Sequence, residues 1–98
     1  MWKMKRYADE ICEELNDAMK YAERYIDRKA ANDNTNASRY QRMAADELTH
    51  AQYLHDMAVA YMTDISRVYQ APPEMSKAWE ESNAEYVDKM SRIKTIID

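Results

Sequence analysis

The stretch that decides the fold is Ala45-Asp46-Glu47-Leu48-Thr49-His50-Ala51-Gln52-Tyr53-Leu54. On an α-helix, at about 100° per residue, Glu47 falls in the middle of one apolar stripe and His50 at its edge. A buried carboxylate is costly unless its charge is compensated. Glu-x-x-His puts two metal-binding side chains on one helical face, which makes a metal ion the leading candidate. The apolar residues of the stripe are Tyr40, Met43, Ala51, Leu54, Ala58, Tyr61 and Ile65.

The composition favours long helices in a small all-α protein. The chain has 98 residues, no glycine and two prolines, which are adjacent at Pro72 and Pro73. Sheets with tight turns use both residue types, whereas helix interiors exclude them. A chain of this length suits one domain, over residues 1–98.

The net charge and the number of cysteines argue against several kinds of partner and site. The net charge of −4 argues against nucleic acid as a partner. Cys12 is the single cysteine, so neither an intramolecular disulfide nor a cysteine zinc site can form. No apolar stretch reaches the length of a membrane span, and we expect a cytoplasmic protein without a membrane partner.

Apolar residues recur with helical periodicity in three segments, which predict helices over about 3–31, 37–70 and 75–97. Ser38 and Gln41 have the spacing of a capping box at the start of the second helix. Pro72 stops that helix, because the residue before a proline avoids the helical region.

The short polar loop around residue 33 makes the first two helices an antiparallel hairpin. Glu14 then lies within about one turn of Glu47 and His50, and we predict that the three form one site. Other interpretations stay open. Glu47 could be a buried carboxylate that pairs with a Lys or Arg on a neighbouring helix. His50 could be a core or edge histidine whose hydrogen bonds are satisfied, and Glu14 could lie on a solvated acidic face.

These residues resemble the first half of a ferritin-like protein, over about residues 7–60. The matching features are Glu14-Leu15 followed by Tyr21, the thirty-three-residue step from Glu14 to Glu47, and Glu47-x-x-His50-Ala51-x-x-Leu54. The resemblance implies a di-iron carboxylate bundle in which Glu47 bridges two irons and Glu14 and His50 are terminal ligands. It gives Tyr21 a hydrogen bond to these ligands, although plain packing is the alternative. Ferrous iron suits this set, with manganese or zinc as competitors.

A complete ferritin-like domain has four helices, and the third helix here carries no Glu-x-x-His motif. We expect its acidic residues to face away from its apolar stripe. The chain is similar to encapsulated ferritins, short hairpins that pair between chains into a four-helix bundle. This likeness implies a homodimer, or a higher homo-oligomer, whose shared site has four carboxylates and two imidazoles. Packaging in an encapsulin shell fits the likeness, but no docking tail follows the third helix. The acidic residues are Glu80, Glu81, Glu85 and Asp88.

The resemblance implies ferroxidase activity, the oxidation of Fe(II) by dioxygen or a peroxide for iron storage or detoxification. Glu14, Glu47 and His50 would be its catalytic metal ligands. The alternative is a helical scaffold or interaction protein with a vestigial or structural metal site. His55 lies away from Glu47 on the helical wheel, and we expect it to be structural.

Overall fold

The structure, a computed structural model, describes residues 2–98, which form three α-helices and no strand. The helices are α1 (Trp2–Ala30), α2 (Asn34–Val68) and α3 (Pro73–Ile97). The prediction of an all-α chain with three helices is confirmed. The helices lie side by side in a rod of 55 × 19 × 17 Å.

The connection between α1 and α2 is a compact helix C-cap. Asn32 adopts a left-handed conformation, with φ of 58°, at a position that many helices give to glycine. The backbone N–H of Asp33 donates to the carbonyl of Arg28 at 2.9 Å, and that of Asn32 donates to Lys29 at 3.0 Å. This pair of bonds ends α1 and reverses the chain, which makes the predicted antiparallel hairpin.

The predicted capping box of Ser38 and Gln41 is wrong, because α2 begins earlier, with Asp33 as its N-cap. The carboxylate of Asp33 accepts a hydrogen bond from the backbone N–H of Asn36 at 3.2 Å. Asp33 comes directly after Asn32, whose left-handed conformation ends α1, and aspartate is among the residues preferred at an N-cap. The side chain of Gln41 instead donates to the carbonyl of Ile97 in α3.

The buried face of α2 differs from the predicted stripe. Glu47 lies at its flank, with 22% of the side chain exposed, and Met43 is 40% exposed. On the helical wheel the core is turned by roughly 55° from the prediction. The reason is that α3 packs beside the hairpin and contacts α2 at His55. The residues of α2 on the side of His55 are therefore buried in addition to those that face α1. The buried residues are Ala37, Ala44, Leu48, Ala51, Ala58 and Ile65.

Helix α3 packs chiefly on α1 and touches α2 less. On α2 it meets His55, whose Nε2 lies 2.8 Å from Oδ1 of Asn83 and whose ring stacks on Tyr86 at 3.9 Å. Because His55 and His50 point to different sides of α2, α3 covers one side of the hairpin and leaves the side of Glu47 and His50 open.

Among the acidic residues of α3, Glu85 is not fully in solvent, because it lies at the edge of the contact with α1 with 38% of its side chain exposed. It is half-buried against α1, where it pairs with Lys89 at 2.8 Å. The Lys89 ammonium lowers the pKa of Glu85, while burial and a hydrogen bond with Glu85 raise the pKa of the Cys12 thiol. A polar contact between α1 and α3 explains why this acid lies at that edge.

None of the three described helices combines the length and the apolar character that crossing a lipid bilayer requires.

Candidate metal centre

The hairpin brings together the three side chains that the sequence singled out. Glu14 lies in the middle of α1, and Glu47 and His50 lie one turn apart on α2. Each of the three offers one ligand atom, and these atoms all lie within 4.8 Å of one another. Among the described residues, this is the one group of three or more acidic, histidine or cysteine side chains with such spacing.

The imidazole of His50 lies between the two carboxylates. Its Nδ1 is 3.7 Å from Oε2 of Glu14 and 3.8 Å from Oε2 of Glu47. Two ligands of one metal ion, each at about 2.1 Å, lie at most about 4.2 Å apart. The distances from His50 therefore fit a shared ion, and only small side-chain movements are needed to close the set.

The site is at the edge of the core and opens to one side. The exposed fraction of the side chain is 27% for Glu14, 22% for Glu47 and 54% for His50. The three ligands come from one side, so the positions of a metal ion that face outward would remain free. Open positions of this kind are typical of sites that bind a substrate or a second set of ligands.

Glu47 raises the pKa of its neighbour Glu14. A side-chain hydrogen bond with Glu47, burial and the charge of Glu47 raise the pKa of Glu14 to about 7, although His50 opposes the shift. Two neighbouring carboxyl groups that share a proton form such a bond, since both cannot ionise cheaply at close range. A divalent cation could replace that proton and stabilise both charges.

A salt bridge to lysine or arginine does not explain these acids. Within the described part of the chain, neither Glu14 nor Glu47 has a Lys or Arg nitrogen within 4 Å, and His50 is their basic neighbour. The buried ion pair weighed for Glu47 therefore has no such partner here. The donor set of two carboxylates and one imidazole fits a divalent ion such as Fe(II), Mn(II) or Zn(II).

Tyr21 lies beyond the site towards the hairpin loop. Its ring packs on Tyr40 at 6.4 Å, and the ammonium of Lys20 lies 5.0 Å from the ring centre. Its hydrogen bond to the ligands stays a prediction. A second tyrosine pair, Tyr7 and Tyr61 with ring centres 6.1 Å apart, lies on the other side of Glu14.

The sequence pattern did not point to a group of three arginines that the structure brings together. Arg24, Arg28 and Arg39 line one cleft near the loop. The available signal was the spacing of Arg24 and Arg28, one helical turn apart, just before a short loop. The position of Arg39 in the same cleft depends on where α2 begins, which the predicted cap placed too late.

Helix α3 adds no residue to the Glu14, Glu47 and His50 group, because it lies on the other side of the hairpin. The candidate metal centre of one chain therefore offers three side chains that could hold an ion. Comparisons of the chain with protein-family models, with characterised proteins and with solved structures find no match.

Proposed function

We propose that this chain is one half of a ferritin-like di-iron protein, which pairs with a second copy and oxidises Fe(II) with dioxygen or a peroxide. The observation that carries the proposal is the grouping of Glu14, Glu47 and His50, with ligand atoms within 4.8 Å. These are the residues on which the resemblance to the family rests, and they come from two different helices.

The chemistry of the donor set supports a second copy as partner. Two metal ions need more ligands than two carboxylates and one imidazole provide. Two copies supply four carboxylates and two imidazoles, the set used by ferritin-like bundles. The open side of the site faces away from α3, so a second hairpin could approach it there.

Apolar side chains around the site support the same partner. Met43 is 40% exposed and Met57 is 51% exposed, and both lie on the side of α2 that carries His50. Leu54 and Tyr61 lie on the same side of α2 and are half-buried. A continuous apolar row beside a polar site is costly in water and typical of an interface.

The two tyrosine pairs suggest a register for the dimer. Tyr7 and Tyr21 lie seven residues before and after Glu14, about 10 Å away in each direction along α1. A two-fold axis through the level of Glu14 exchanges these two levels. Tyr21 of one copy would then meet the partner's Tyr7, and aromatic layers would close the site at both ends.

The roles of the residues follow from their chemistry and from the family resemblance. Glu47 would bridge the two ions, and Glu14 and His50 would each hold one. Glu14 gives up its proton when Fe(II) binds, and its carboxylate then neutralises part of the added charge. Fe(II) is the substrate: each ion loses one electron, and the two electrons with two protons reduce either dioxygen to hydrogen peroxide or hydrogen peroxide to two molecules of water.

Native mass spectrometry of protein loaded with Fe(II) tests the proposal. We expect a dimer with two metal ions, and loss of both ions in Glu47→Gln. Glu81→Gln is the matched control, because Glu81 is 70% exposed on α3 and pairs with Lys77. A metal-free monomer, or equal metal loss in both variants, would contradict the proposal.

A scaffold function is the second candidate, and the exposed apolar surface favours it. Tyr53, Val68 and Tyr69 are all more than half exposed, and Val68 and Tyr69 lie far from the metal site at the end of α2. A surface this long suits a helical partner even without metal. A stable dimer that does not oxidise Fe(II) would favour this function.

A further inference from the structure

A second cluster of functional groups lies at the loop end of the hairpin, which we call the arginine cleft. Its volume is about 460 Å³, which falls within the range of small-molecule sites. Arg24 lies ten residues, or about 15 Å, along α1 from Glu14, so the arginines are separate from the metal ligands, whereas Met43 in the same cleft lies one helical turn from Glu47. The residues that define the cleft are Arg24, Asp27, Arg28, Asn36, Arg39, Tyr40 and Met43.

A hydrogen-bond network positions two of the three guanidinium groups. Nη1 of Arg28 lies 3.7 Å from Oδ2 of Asp33. The side chain of Asn36 donates to the same oxygen at 2.9 Å and accepts from Nη1 of Arg39 at 3.2 Å. The chain of contacts therefore runs from α1 through the cap of α2 to Arg39. It holds guanidinium groups from both helices beside one cleft.

The cleft is positively charged in a protein whose net charge is −4. Asp27 is the acidic residue in its lining, and Asp33 at the rim already binds Arg28. Arg24 and Arg39 have no carboxylate oxygen within 4 Å in the described part of the chain. Each guanidinium keeps several N–H donors in a planar fork, the geometry that matches phosphate oxygens.

The wall of the cleft is apolar. Met43 is 40% exposed there, and the Tyr40 ring is held by packing on Tyr21 at 6.4 Å. A ligand with a phosphate at the arginines could therefore place an apolar or planar part on this wall. Small-molecule sites commonly combine an apolar lining with a few charged or polar groups that fix the orientation of the ligand.

We propose that the arginine cleft binds the phosphate group of a small ligand, either free orthophosphate or a phosphate ester. Arg24 and Arg39 contact the phosphate oxygens, and Arg28 adds charge from the rim. The proposal does not depend on the metal centre. The phosphate contacts need only the arginines of one chain, although Met43 of the apolar wall also belongs to the face proposed for the dimer.

Isothermal titration of the metal-free protein tests the proposal, with orthophosphate, adenosine monophosphate and adenosine as probes. We expect saturable binding of at least one phosphate compound and none of adenosine. Tighter binding of the nucleotide identifies an ester that uses the apolar wall, whereas equal affinities identify phosphate alone as the ligand. If neither phosphate compound reaches saturation at millimolar concentration, the proposal is overturned. It is also overturned if adenosine binds as tightly as the phosphate compounds do.

Single substitutions show whether the cleft is the binding site. Arg39→Gln and Arg24→Gln should each weaken binding about tenfold or more, because each removes a charge-assisted contact. Arg67→Gln is the matched control, since Arg67 lies on α2, is 75% exposed and pairs only with Asp64. The control should bind within about twofold of the parent. Equal losses in all three variants would mean a diffuse effect of net charge and would overturn the proposal.

Two further measurements separate this site from folding and from the metal centre. Arg24 makes no ion pair in the described structure, so Arg24→Gln should melt like the parent and its loss of binding cannot come from unfolding. Glu47→Gln removes a proposed metal ligand and should bind phosphate as the parent does. If Glu47→Gln also lost phosphate binding, the ligand would be at the metal centre, and the cleft proposal would be wrong.

Discussion

Glu14 and Glu47 lie on neighbouring helices with carboxylate oxygens within 4.8 Å, and Glu14 carries a pKa raised to about 7. The hydrogen bond between the two side chains is the main cause, with burial and the charge of Glu47 behind it. At neutral pH the pair therefore exists partly as one acid and one carboxylate. The same proximity that holds a proton can hold a cation, so protons and metal ions compete for the pair.

The first prediction is that metal affinity depends on pH around neutrality. Because Glu14 must lose its proton to bind a cation, the apparent affinity should fall about tenfold per pH unit once the pH is well below 7. Above pH 7 Glu14 is already ionised, and its contribution to the pH dependence should level off. Mn(II) titrations followed by electron paramagnetic resonance at several pH values measure this slope. Affinity that does not change across neutrality would show that Glu14 is not a ligand.

The second prediction concerns the stability of the metal-free protein. The pKa of Glu14 rises from 4.5 to about 7 on folding, so the native state binds more protons between these values. The free energy of unfolding should therefore decrease as the pH rises through this range and should change less outside it. Urea unfolding of the parent and of Glu14→Gln at each pH isolates the contribution. The Glu14→Gln variant should lose most of this decrease, and an unchanged slope would exclude Glu14 as its source.

The third prediction is that Glu47→Ala removes metal binding without unfolding the chain. Glu47 is 22% exposed and lacks a lysine or arginine partner among residues 2–98, so its removal relieves repulsion with Glu14 and leaves a small gap. The metal-free variant should melt at the same temperature as the parent or higher, and Fe(II) should no longer raise that temperature. A buried ion pair would instead cost about 3–5 kcal/mol when broken. Thermal melts with and without Fe(II) distinguish the two cases.

Much of the candidate site could be predicted from the sequence because it depends on local geometry. The positions of Glu47 and His50 one turn apart follow from helix periodicity alone. Glu14 lies close to Glu47 and His50 because the short loop makes the two helices run antiparallel. Both features needed only the spacing of residues and the length of one connection.

The features that were mispredicted depend on contacts between distant residues. Glu47 was placed in the centre of the core because the wheel of one helix does not show where a third helix packs. The half-buried position of Glu85 also depends on Cys12 and Lys89, and Cys12 lies on another helix. The start of α2 was placed too late because Ser38 is only one of several polar residues in this region that can cap a helix. Asp33 is the N-cap because it directly follows the residues that end α1.

The fourth prediction tests the face proposed for the dimer. Met57→Glu should weaken dimer formation, because it places a charge in the apolar row beside His50. Val87→Glu is the matched control: Val87 is 58% exposed on α3, comparable to Met57 at 51%, but lies on a different helix. Sedimentation velocity at micromolar concentration should show a monomer shift only for Met57→Glu. A shift for Val87→Glu alone would place the interface on α3.

The fifth prediction separates the two histidines, which lie on the same helix but on different sides of it. His55 stacks on Tyr86 with ring centres 3.9 Å apart and lies 5.4 Å from Trp79, and its Nε2 donates to Asn83. It therefore joins α2 to α3, where direct contact is limited. The imidazole of His50 lies beside the carboxylates of Glu14 and Glu47, and the side chain is 54% exposed.

His55→Ala should lower the free energy of unfolding by about 1–2 kcal/mol, from the lost aromatic stacking and hydrogen bond. Its metal affinity should equal that of the parent, because α3 lies on the far side of the hairpin. His50→Ala should do the opposite and lose metal affinity while the metal-free protein keeps its stability. Urea unfolding and Mn(II) titration on both variants give four values. If His50→Ala also destabilised the metal-free chain, His50 would be a packing residue, and the metal centre would lose its only nitrogen ligand.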